Sequence, residues 1–210
     1  MNLLIVAATE FEIEPFLKQK NSADILITGV GIPAILYHLE KKISGKNYDF
    51  VIQAGIAGAF NDDVGLTEVV QVSEDTFADL GIQENGNFKT LFDMGFSDKN
   101  HFPFTNGWLK NPHALLQKNH LLSAKGITIN KISDDAFQNK MIKEKFSPDV
   151  ESMEGAAFHY VCLLEKINFL QLRAISNRVG ERNKSKWELK TSIENLNKEL
   201  LNIIENLKCI

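Results

Sequence analysis

The stretch Asp149–Phe158, which reads Asp-Val-Glu-Ser-Met-Glu-Gly-Ala-Ala-Phe, determines how the rest of this sequence is interpreted. A short extended segment ends in acidic and hydroxyl residues and passes directly into small residues and an apolar helical pattern. Carboxylates at such a junction lie where open α/β sheets bind ligands, beyond the carboxyl end of a strand. The alternative is helix capping, because Ser152 and the acids Glu151 and Glu154 suit the start of a helix. Taken alone, the stretch favours capping.

Strands and helices alternate on both sides of this stretch. Apolar residues spaced three to four apart between Leu189 and Leu207 predict an amphipathic helix. Strands are predicted at Leu3–Ala8, Asp24–Thr28, Asp49–Ala54, Thr67–Ser73, Gly126–Lys131 and Phe169–Ile175. Residues 81–107 are interpreted as hairpin or loop. The alternation predicts an α/β fold, a single domain over residues 1–210 with three αβα layers, in which helices flank a twisted, mostly parallel (mixed) central sheet.

Composition restricts the class of protein. A hydrophobic content of 44% and a charged content of 24% are ordinary for a globular protein, and the net charge of -4 argues against nucleic-acid binding. No segment approaches the length of a membrane span. The two cysteines, Cys162 and Cys209, fit a reducing compartment better than a disulfide framework. We therefore expect a cytoplasmic protein with neither nucleic acid nor a membrane as a partner.

No motif indicates a metal or a cofactor. The histidines lack metal-ligand spacing, and His159 and Cys162, three residues apart on a predicted helix, are more simply core residues. Gly29 and Gly31 lack the third glycine of a dinucleotide-binding fingerprint, because Ala34 follows them. We expect no metal site and no cofactor.

Small or polar residues follow several of the predicted strands. Because the carboxyl ends of parallel strands lie on one side of an open α/β sheet, these residues can converge on one small-molecule site. The segments are Thr9–Glu12, Gly55–Gly58, Ser133–Phe137, Glu151–Glu154 and Ser176–Gly180. Thr9 and Glu12 also have the spacing of a capping box, so Glu12 has a structural explanation as well.

Motifs from these segments, in this order along the chain, resemble the nucleoside phosphorylase and nucleosidase superfamily. They are Ala8-Thr9-Glu10-Phe11-Glu12, Ala54-Gly55-Ile56-Ala57-Gly58, Asp135-Ala136-Phe137, Ser152-Met153-Glu154-Gly155-Ala156-Ala157 and Arg173-Ala174-Ile175-Ser176-Asn177. Within the superfamily the chain looks most like the futalosine hydrolases, because Phe77-Ala78-Asp79-Leu80-Gly81 occurs together with Ser176-Asn177-Arg178-Val179-Gly180. The resemblance spans nearly the whole chain and implies the superfamily's fold and a homo-oligomer, a dimer or higher.

The resemblance also implies roles for individual side chains. Met153 would pack on the ribose, and Glu154 would bind its 2′- and 3′-hydroxyl groups. Phe137 would stack on the base, and the backbone of Gln138 would contact the edge of the base. Glu12 matches the carboxylate that orients or deprotonates the attacking water.

Asn177 departs from the nucleosidase pattern, which has an Asp there as the general acid for adenine. Cleavage of an N-glycosidic bond builds negative charge on the leaving purine, and a donor at its imidazole nitrogen stabilises that charge. Asn always offers an N–H donor and a carbonyl acceptor, so hypoxanthine is consistent as the leaving group. The alternative is that Asn177 merely ends a strand, since Asn favours turns.

The turn that contains Ile56, Ala57 and Gly58 is predicted to contact the substrate, because small residues let the backbone approach a ligand closely. A phosphorylase normally holds phosphate with Arg. This turn contains no Arg, and all three arginines of the chain lie at or after position 173. We therefore favour water as the nucleophile, with Glu12 as its base.

Arg178, Arg182 or Lys184 is a candidate for binding the aromatic carboxylate that futalosine carries far from its base. The alternative is a solvated basic loop. No metal ligand is assigned among these residues.

The favoured function is therefore hydrolysis of futalosine to hypoxanthine and dehypoxanthinyl futalosine, in the futalosine route to menaquinone. The alternatives are a methylthioadenosine/S-adenosylhomocysteine nucleosidase, a purine nucleoside phosphorylase, and a nucleoside-binding protein without activity. Asn177 argues against the nucleosidase, and the absence of Arg from the glycine turns argues against the phosphorylase. The presence of both Glu12 and Glu154 argues against a protein that only binds.

Overall fold

The computed structural model of this protein describes residues 1–113 and 119–207, so Cys209 lies outside the described residues. The strands are β1 (Leu3–Ala7), β2 (Asp24–Ile27), β3 (Phe50–Ala59), β4 (Val69–Asp75), β5 (Gly81–Glu84), β6 (Asn87–Thr90), β7 (Leu109–Lys110), β8 (Leu122–Thr128), β9 (Val150–Ser152) and β10 (Asn168–Arg178). The helices are α1 (Glu10–Leu17), α2 (Ile32–Ser44), α3 (Ala136–Phe146), α4 (Gly155–Leu164) and α5 (Leu189–Leu207), and Lys184–Lys186 forms a 3-10 turn. The predicted α/β fold with a mixed central sheet is confirmed.

The central sheet closes partly on itself. β2, β1, β3 and β10 lie side by side in parallel. β10 pairs antiparallel with β4, and β4, β8 and β9 follow in parallel. β9 then returns antiparallel to the far end of β3. β3, β10, β4, β8 and β9 therefore form a ring, from which β1 and β2 extend as an open sheet.

Helices cover both faces of the sheet, which explains why the β1 sequence is apolar without alternation. Ile5 points to the face covered by α1 and α5, where it joins Leu196 and Leu200. Its neighbour Leu4 points to the face covered by α2 and α4, where it meets Phe158. Each such side chain contributes about 1.5–3 kcal/mol by leaving water, so both faces hold the fold together.

The amphipathic pattern predicted for the last helix is confirmed by α5. Its apolar residues Ile193, Leu196, Leu200 and Ile203 are buried. Asn197 is also buried on this face, and its amide bonds α1 in two places: Oδ1 accepts from Phe16 N at 3.0 Å and Nδ2 donates to Glu12 O at 2.9 Å. α5 therefore fixes the position of α1, which carries Glu12.

Two strands are longer than the sequence predicts. Gly55–Gly58 lies inside β3 rather than in a turn after it, and Ser176, Asn177 and Arg178 lie inside β10. Each strand is extended by its pairing with the other, because β3 and β10 pair from Phe50↔Asn168 to Ala59↔Arg178, with an irregularity between Ile175 and Asn177. Residues predicted to be loop therefore have rigid strand positions.

Part of the segment at 81–107 is a hairpin, as predicted. β5 and β6 form an antiparallel pair that makes no ladder with the central sheet. Asn85 and Gly86 form its turn with φ of 51° and 79°, the left-handed values of a two-residue hairpin turn.

His159 and Cys162 are core residues, as the sequence suggested. Both are fully buried on α4. The Nδ1–H group of His159 donates to Leu109 O at 2.9 Å, and burial lowers the pKa of His159 to about 4, which keeps the ring neutral. In the described ranges no three His, Cys, Asp or Glu residues come together as a metal site requires, and no helix has the length and apolar character to cross a bilayer.

Candidate active site

A cavity lies at the carboxyl ends of β1, β3 and β10, beside the junction of β9 with α4. It is lined by Ala8, Thr9, Phe11, Glu12, Val30, Ile56, Ala57, Gly58, Ile132, Glu151, Ser152, Met153, Glu154, Ser176, Asn177, Arg182 and Trp187. The structure thus brings together segments from across the chain. Of the strand ends expected to converge, only Ser133–Phe137 is not part of this lining.

Glu12 is held in place by donors from two elements. Its Oε2 accepts from Thr9 N at 2.9 Å and from Thr9 Oγ1 at 3.1 Å, which fits the capping-box spacing of the sequence. Its Oε1 accepts from Ile56 N of β3 at 3.1 Å. Burial raises the pKa of the Glu12 carboxyl, an effect that Arg173 and the Ile56 amide oppose and that nearby Glu154 reinforces. A fixed carboxylate of raised pKa suits a general base.

Arg173 lies beneath the cavity between the two carboxyl groups. It is 1% exposed, and its Nη1 lies 3.7 Å from Glu154 Oε2. A Cβ on Gly55 would lie 2.5 Å from Nη1 and 2.9 Å from Glu12 Oε1, so these two atoms face each other across the bare Gly55 backbone. Sequence reasoning assigned Arg173 no role, although an arginine inside the apolar strand Phe169–Ile175 was a usable signal.

Gly55→Ala is therefore expected to lower kcat by about 100-fold, because the new methyl group displaces Arg173 or Glu12 from its place. The measurement is steady-state hydrolysis, with circular dichroism to check folding. Gly45→Ala is the matched control, since a Cβ there meets nothing closer than 3.7 Å. Equal kinetics for Gly55→Ala and wild type would show that the packing across Gly55 is dispensable.

Glu154 is oriented toward the cavity from two sides. Its Oε1 accepts from Gly31 N at 2.9 Å, and Arg173 approaches the other oxygen. Gly31 has a φ of 94°, a backbone conformation that favours glycine, so the Gly29–Gly31 turn serves to bring an amide to Glu154. Ser152 keeps a capping contact, because its Oγ accepts from Gly155 N at 3.2 Å.

Glu151 does not occupy the helix start that the sequence suggested. It lies in β9, opposite Gly58 of β3, and is 7% exposed on the wall of the cavity. The helix-capping explanation for Glu151 is therefore wrong, because β8 and β3 hold this residue in a strand before the helix begins.

Asn177 lies on the cavity beside Gly58. Its Oδ1 accepts from Ser176 Oγ at 2.8 Å, and its Nδ2 donates one hydrogen to Arg178 O at 2.9 Å. A Cβ on Gly58 would lie 3.2 Å from Nδ2, so Gly58 makes room for this amide. Within residues 1–113 and 119–207 the second N–H of Nδ2 has no acceptor, so it can donate to a ligand in the cavity.

A buried polar chain supports Arg173 from below. Arg173 Nε donates to Gln171 Oε1 at 2.9 Å, and Gln171 Nε2 donates to Asp75 Oδ2 at 3.1 Å. Thr128 Oγ1 donates to Asp75 Oδ1 at 3.0 Å and accepts from Ala156 N at 2.6 Å. Burial raises the pKa of Asp75 to about 6. The chain links Arg173 to the start of α4, so it fixes Glu154 and Arg173 relative to each other.

Three predicted substrate contacts do not line the cavity. Phe137 is 60% exposed at the start of α3, and the N–H groups of Phe137 and Gln138 donate to Asp135 Oδ1 at 2.8 and 3.1 Å. Arg178 is directed elsewhere, because its guanidinium donates to Asn61 O and Val64 O and pairs with Asp62 at 3.1 Å. Helix capping and a loop anchor account for these positions.

The basic residue Arg182 lines the cavity, as do the aromatic residues Trp187 and Phe11. The guanidinium of Arg182 lies 5.6 Å from the centre of the Trp187 ring, and Trp187 Nε1 donates to Glu181 O at 2.9 Å. The sequence singled out Arg182 as one of several basic residues, but it gave no signal for Trp187, which is joined to the site only by the fold after β10.

Comparisons with known proteins show the family and the fold of this chain. The sequence model of the Phosphorylase superfamily matches residues 25–207. A futalosine hydrolase of Thermus thermophilus is 29% identical over 81% of this chain and 76% of its own length, and one of Streptomyces coelicolor is 27% identical over 79% and 72%. A crystal structure of the 5′-methylthioadenosine/S-adenosylhomocysteine nucleosidase of Helicobacter pylori superposes with a TM-score of 0.81 over 98% of both chains at 15% identity. Because the superfamily model covers most of its length, the chain belongs to the Phosphorylase superfamily.

Proposed function

We propose that this protein is a nucleosidase that hydrolyses the N-glycosidic bond of futalosine, releasing hypoxanthine and dehypoxanthinyl futalosine. The observation that carries the proposal is the juxtaposition of Glu12 and Glu154 over buried Arg173, with Asn177 on the same cavity. Relatives named futalosine hydrolase, which match about four-fifths of the chain, support the choice of substrate.

The arrangement suits a reaction that separates charge. As the bond breaks, the ribose becomes positive and the purine becomes negative. In our proposal Glu154 accepts hydrogen bonds from the ribose hydroxyls, Met153 packs on the ribose, and Glu12 takes a proton from the attacking water. Asn177 donates its free N–H to the imidazole nitrogen of the leaving purine, and the strand residues Ile56, Ala57 and Gly58 contact the substrate through their backbone.

Water fits this site better than phosphate. The glycine segment has an arginine beside it in the fold, because Arg173 lies directly under Gly55. However, Arg173 faces the carboxyl groups of both Glu12 and Glu154, so their summed charge is unfavourable for a phosphate dianion. The Nη2 of Arg173 has no hydrogen-bond partner in the described residues, and a water molecule is the usual partner of such a group.

Phe137 and Gln138 can contact the substrate only if residues 133–137, which lead into α3, move toward the cavity. Ile132 already lines the cavity, five residues before Phe137. Stacking of Phe137 on the base requires residues 133–137 to shift toward Ile132, and the Gln138 N–H must leave Asp135 to reach the base. Fluorescence of Trp187 on the cavity wall is a suitable reporter for that closure.

The test is the identity of the released base. The protein is incubated with futalosine, methylthioadenosine and inosine, each with and without phosphate, and the products are separated by chromatography. We expect hypoxanthine from futalosine, at a rate independent of phosphate. Release of adenine with futalosine left intact, or strict dependence on phosphate, would overturn the proposal.

A methylthioadenosine/S-adenosylhomocysteine nucleosidase is the second candidate, because the fold superposes on such an enzyme along nearly its whole length. Asn177 argues against it. A neutral amide cannot transfer a proton to adenine, whereas a carboxylic acid can.

Arg182→Ala is expected to raise the KM for futalosine by about tenfold to a hundredfold, because it removes a charged hydrogen bond to the substrate's aromatic carboxylate. Arg182 replaces Arg178 in this role, since it is the arginine on the cavity wall. Lys184→Ala is the control, because Lys184, the third basic candidate, is exposed and does not line the cavity. The affinity for inosine, which has no carboxylate, should not change; equal weakening of both ligands would exclude the carboxylate contact.

We also propose that the enzyme acts in the cytoplasm, in the futalosine route to menaquinone, as a homo-oligomer. Val30 and Tyr37 are 56% and 62% exposed near the start of α2, and Val30 lines the cavity. Apolar side chains at this position suit a subunit contact. Light scattering on the purified protein measures the number of subunits.

A further inference from the structure

Glu151 differs from the other buried acids of this protein. Glu12, Glu154 and Asp75 each accept at least one hydrogen bond that fixes the carboxyl group. Glu151 is equally buried, at 7% exposed, yet no group in residues 1–113 and 119–207 donates a hydrogen bond to its carboxyl. Because the carboxyl oxygens of Glu151 are not sealed from solvent, the group opens onto the cavity, where a ligand can supply the donor that the described residues do not.

The strand register places Glu151 across from Asn177. In β9 Glu151 is paired with Gly58 of β3, and on the other side of β3 Asn177 of β10 is paired with the same Gly58. Paired residues point to one face of a sheet, and the Cβ direction of Gly58 leads to the Asn177 amide. Two strand spacings of about 4.8 Å separate Glu151 from Asn177. The side chains of Asn177 and Val179 cover the Gly58 backbone, because a Cβ there would lie 3.2 Å from Asn177 Nδ2 and 3.2 Å from Val179 Cγ2, and Glu151 and Asn177 line the same cavity.

We propose that Glu151 binds the six-membered-ring edge of the leaving purine and selects a 6-oxopurine over a 6-aminopurine. The proposal rests on the proposed function, in which Asn177 contacts the imidazole ring of the same base. A base that meets Asn177 with its imidazole nitrogen presents its opposite edge to another part of the cavity lining, and Glu151 lies on that lining two strand positions from Asn177.

The chemistry of N1 provides the selection. In hypoxanthine N1 carries a hydrogen and donates, whereas in adenine N1 is an acceptor. In the proposed arrangement the carboxylate lies on the N1–C2 side of the ring, away from the 6-substituent, so its acceptors bond the N1–H of hypoxanthine and meet the lone pair of adenine N1. A site built on a buried hydrogen-bonding group rejects a base that leaves this group unpaired.

Protonation of Glu151 should weaken this selection. Burial and the charge of Asp79 raise the pKa of Glu151 to about 7, and Arg182 opposes them. The charges that act on Glu151 are those of Asp79, which accepts from Asn130 N at 2.5 Å and from Asn130 Nδ2 at 3.1 Å, and of Arg182 elsewhere on the cavity lining, while Glu12 and Glu154 share the cavity. Below its pKa the neutral carboxyl offers both an acceptor for the N1–H of hypoxanthine and a donor for N1 of adenine. Selection is therefore present above this pKa and is lost as the pH falls through it.

The experiment compares futalosine with its 6-amino analogue, which differs only in the base. The ratio of their kcat/KM values is measured from about pH 6 to about pH 8 for wild type and Glu151→Gln, because this ratio reports the free enzyme. We expect the wild-type ratio to rise by about tenfold across this range, in favour of futalosine. Glu151→Gln, whose amide is both donor and acceptor at every pH, should show a low and constant ratio. Glu165→Gln, at an exposed acid, is the matched control and should behave as wild type.

The outcomes separate the two proposals. If wild type cleaves futalosine but Glu151→Gln keeps the wild-type ratio and pH profile, the role of Glu151 is wrong and the function stands. If wild type does not release hypoxanthine from futalosine, the proposed function itself fails. If Glu151→Gln does not fold, the wild-type profile decides: a ratio independent of pH overturns the proposal, and a ratio that rises through pH 7 supports it.

Discussion

Replacing Glu12 with Gln is expected to lower kcat by about 10²–10⁴-fold, the usual contribution of a positioned general base. Glutamine keeps the size of the side chain, and its carbonyl oxygen can still accept from Thr9 or from the Ile56 amide. It cannot take a proton from water. Single-turnover hydrolysis of futalosine measures the chemical step directly, so the loss can be assigned to bond cleavage rather than to product release.

The pH dependence makes this test sharper. Burial raises the pKa of Glu12, so the wild-type rate should increase with pH as this carboxyl loses its proton. Glu12→Gln should lose that rising limb as well as the rate. Glu10→Gln, an exposed acid in the same first turn, is the control and should leave both unchanged. Near-normal turnover by Glu12→Gln would remove Glu12 from the mechanism.

Arg173→Met is expected to destabilise the protein by about 3–5 kcal/mol, because it leaves buried carboxyl groups without their cation. Arg173 is the nearest cation to both Glu12 and Glu154, and it is also the donor that completes the Gln171–Asp75 chain. Methionine fills much of the same volume, so the loss reports charge and hydrogen bonding rather than a cavity. Urea unfolding at neutral pH measures the difference in the free energy of unfolding.

The pH dependence of the stability lost in Arg173→Met shows whether Arg173 acts through its charge or through packing. Without Arg173 the pKa of Glu12 should rise further, because the guanidinium normally lowers it. Above that pKa the buried Glu12 carboxylate destabilises the mutant. Below that pKa the protonation of Glu12 removes this destabilisation. The deficit of Arg173→Met should therefore shrink as the pH falls from about 8 to about 5. Lys184→Met is the control for removing a cation from the surface; a deficit that does not change with pH would mean that Arg173 acts through packing.

Much of the fold followed from local patterns. The apolar run at Leu3–Ala8 predicted a strand buried on both faces, and the spacing in Leu189–Leu207 predicted the helix that covers one of them. Thr9 and Glu12 predicted a helix start that the structure contains. The ends of β3 and β10 could not be predicted in this way, because small and polar residues resemble a turn until a neighbouring strand pairs with them.

The sequence alone predicted the α/β class and the capping of α1. The order of its motifs also predicted that Glu12, Met153, Glu154 and Asn177 lie in one site. These depend on residue spacing and on order along the chain. Tertiary structure decided the rest. Arg173 lies beneath two carboxyl groups because β3 pairs with β10. Glu151 forms part of the cavity wall rather than a helix cap because β9 pairs with β3. Phe137 and Arg178 do not line the cavity. The Asp135 cap holds the backbone at Phe137, and loop carbonyls accept hydrogen bonds from Arg178. Such contacts join residues far apart in the chain, and no local pattern encodes them.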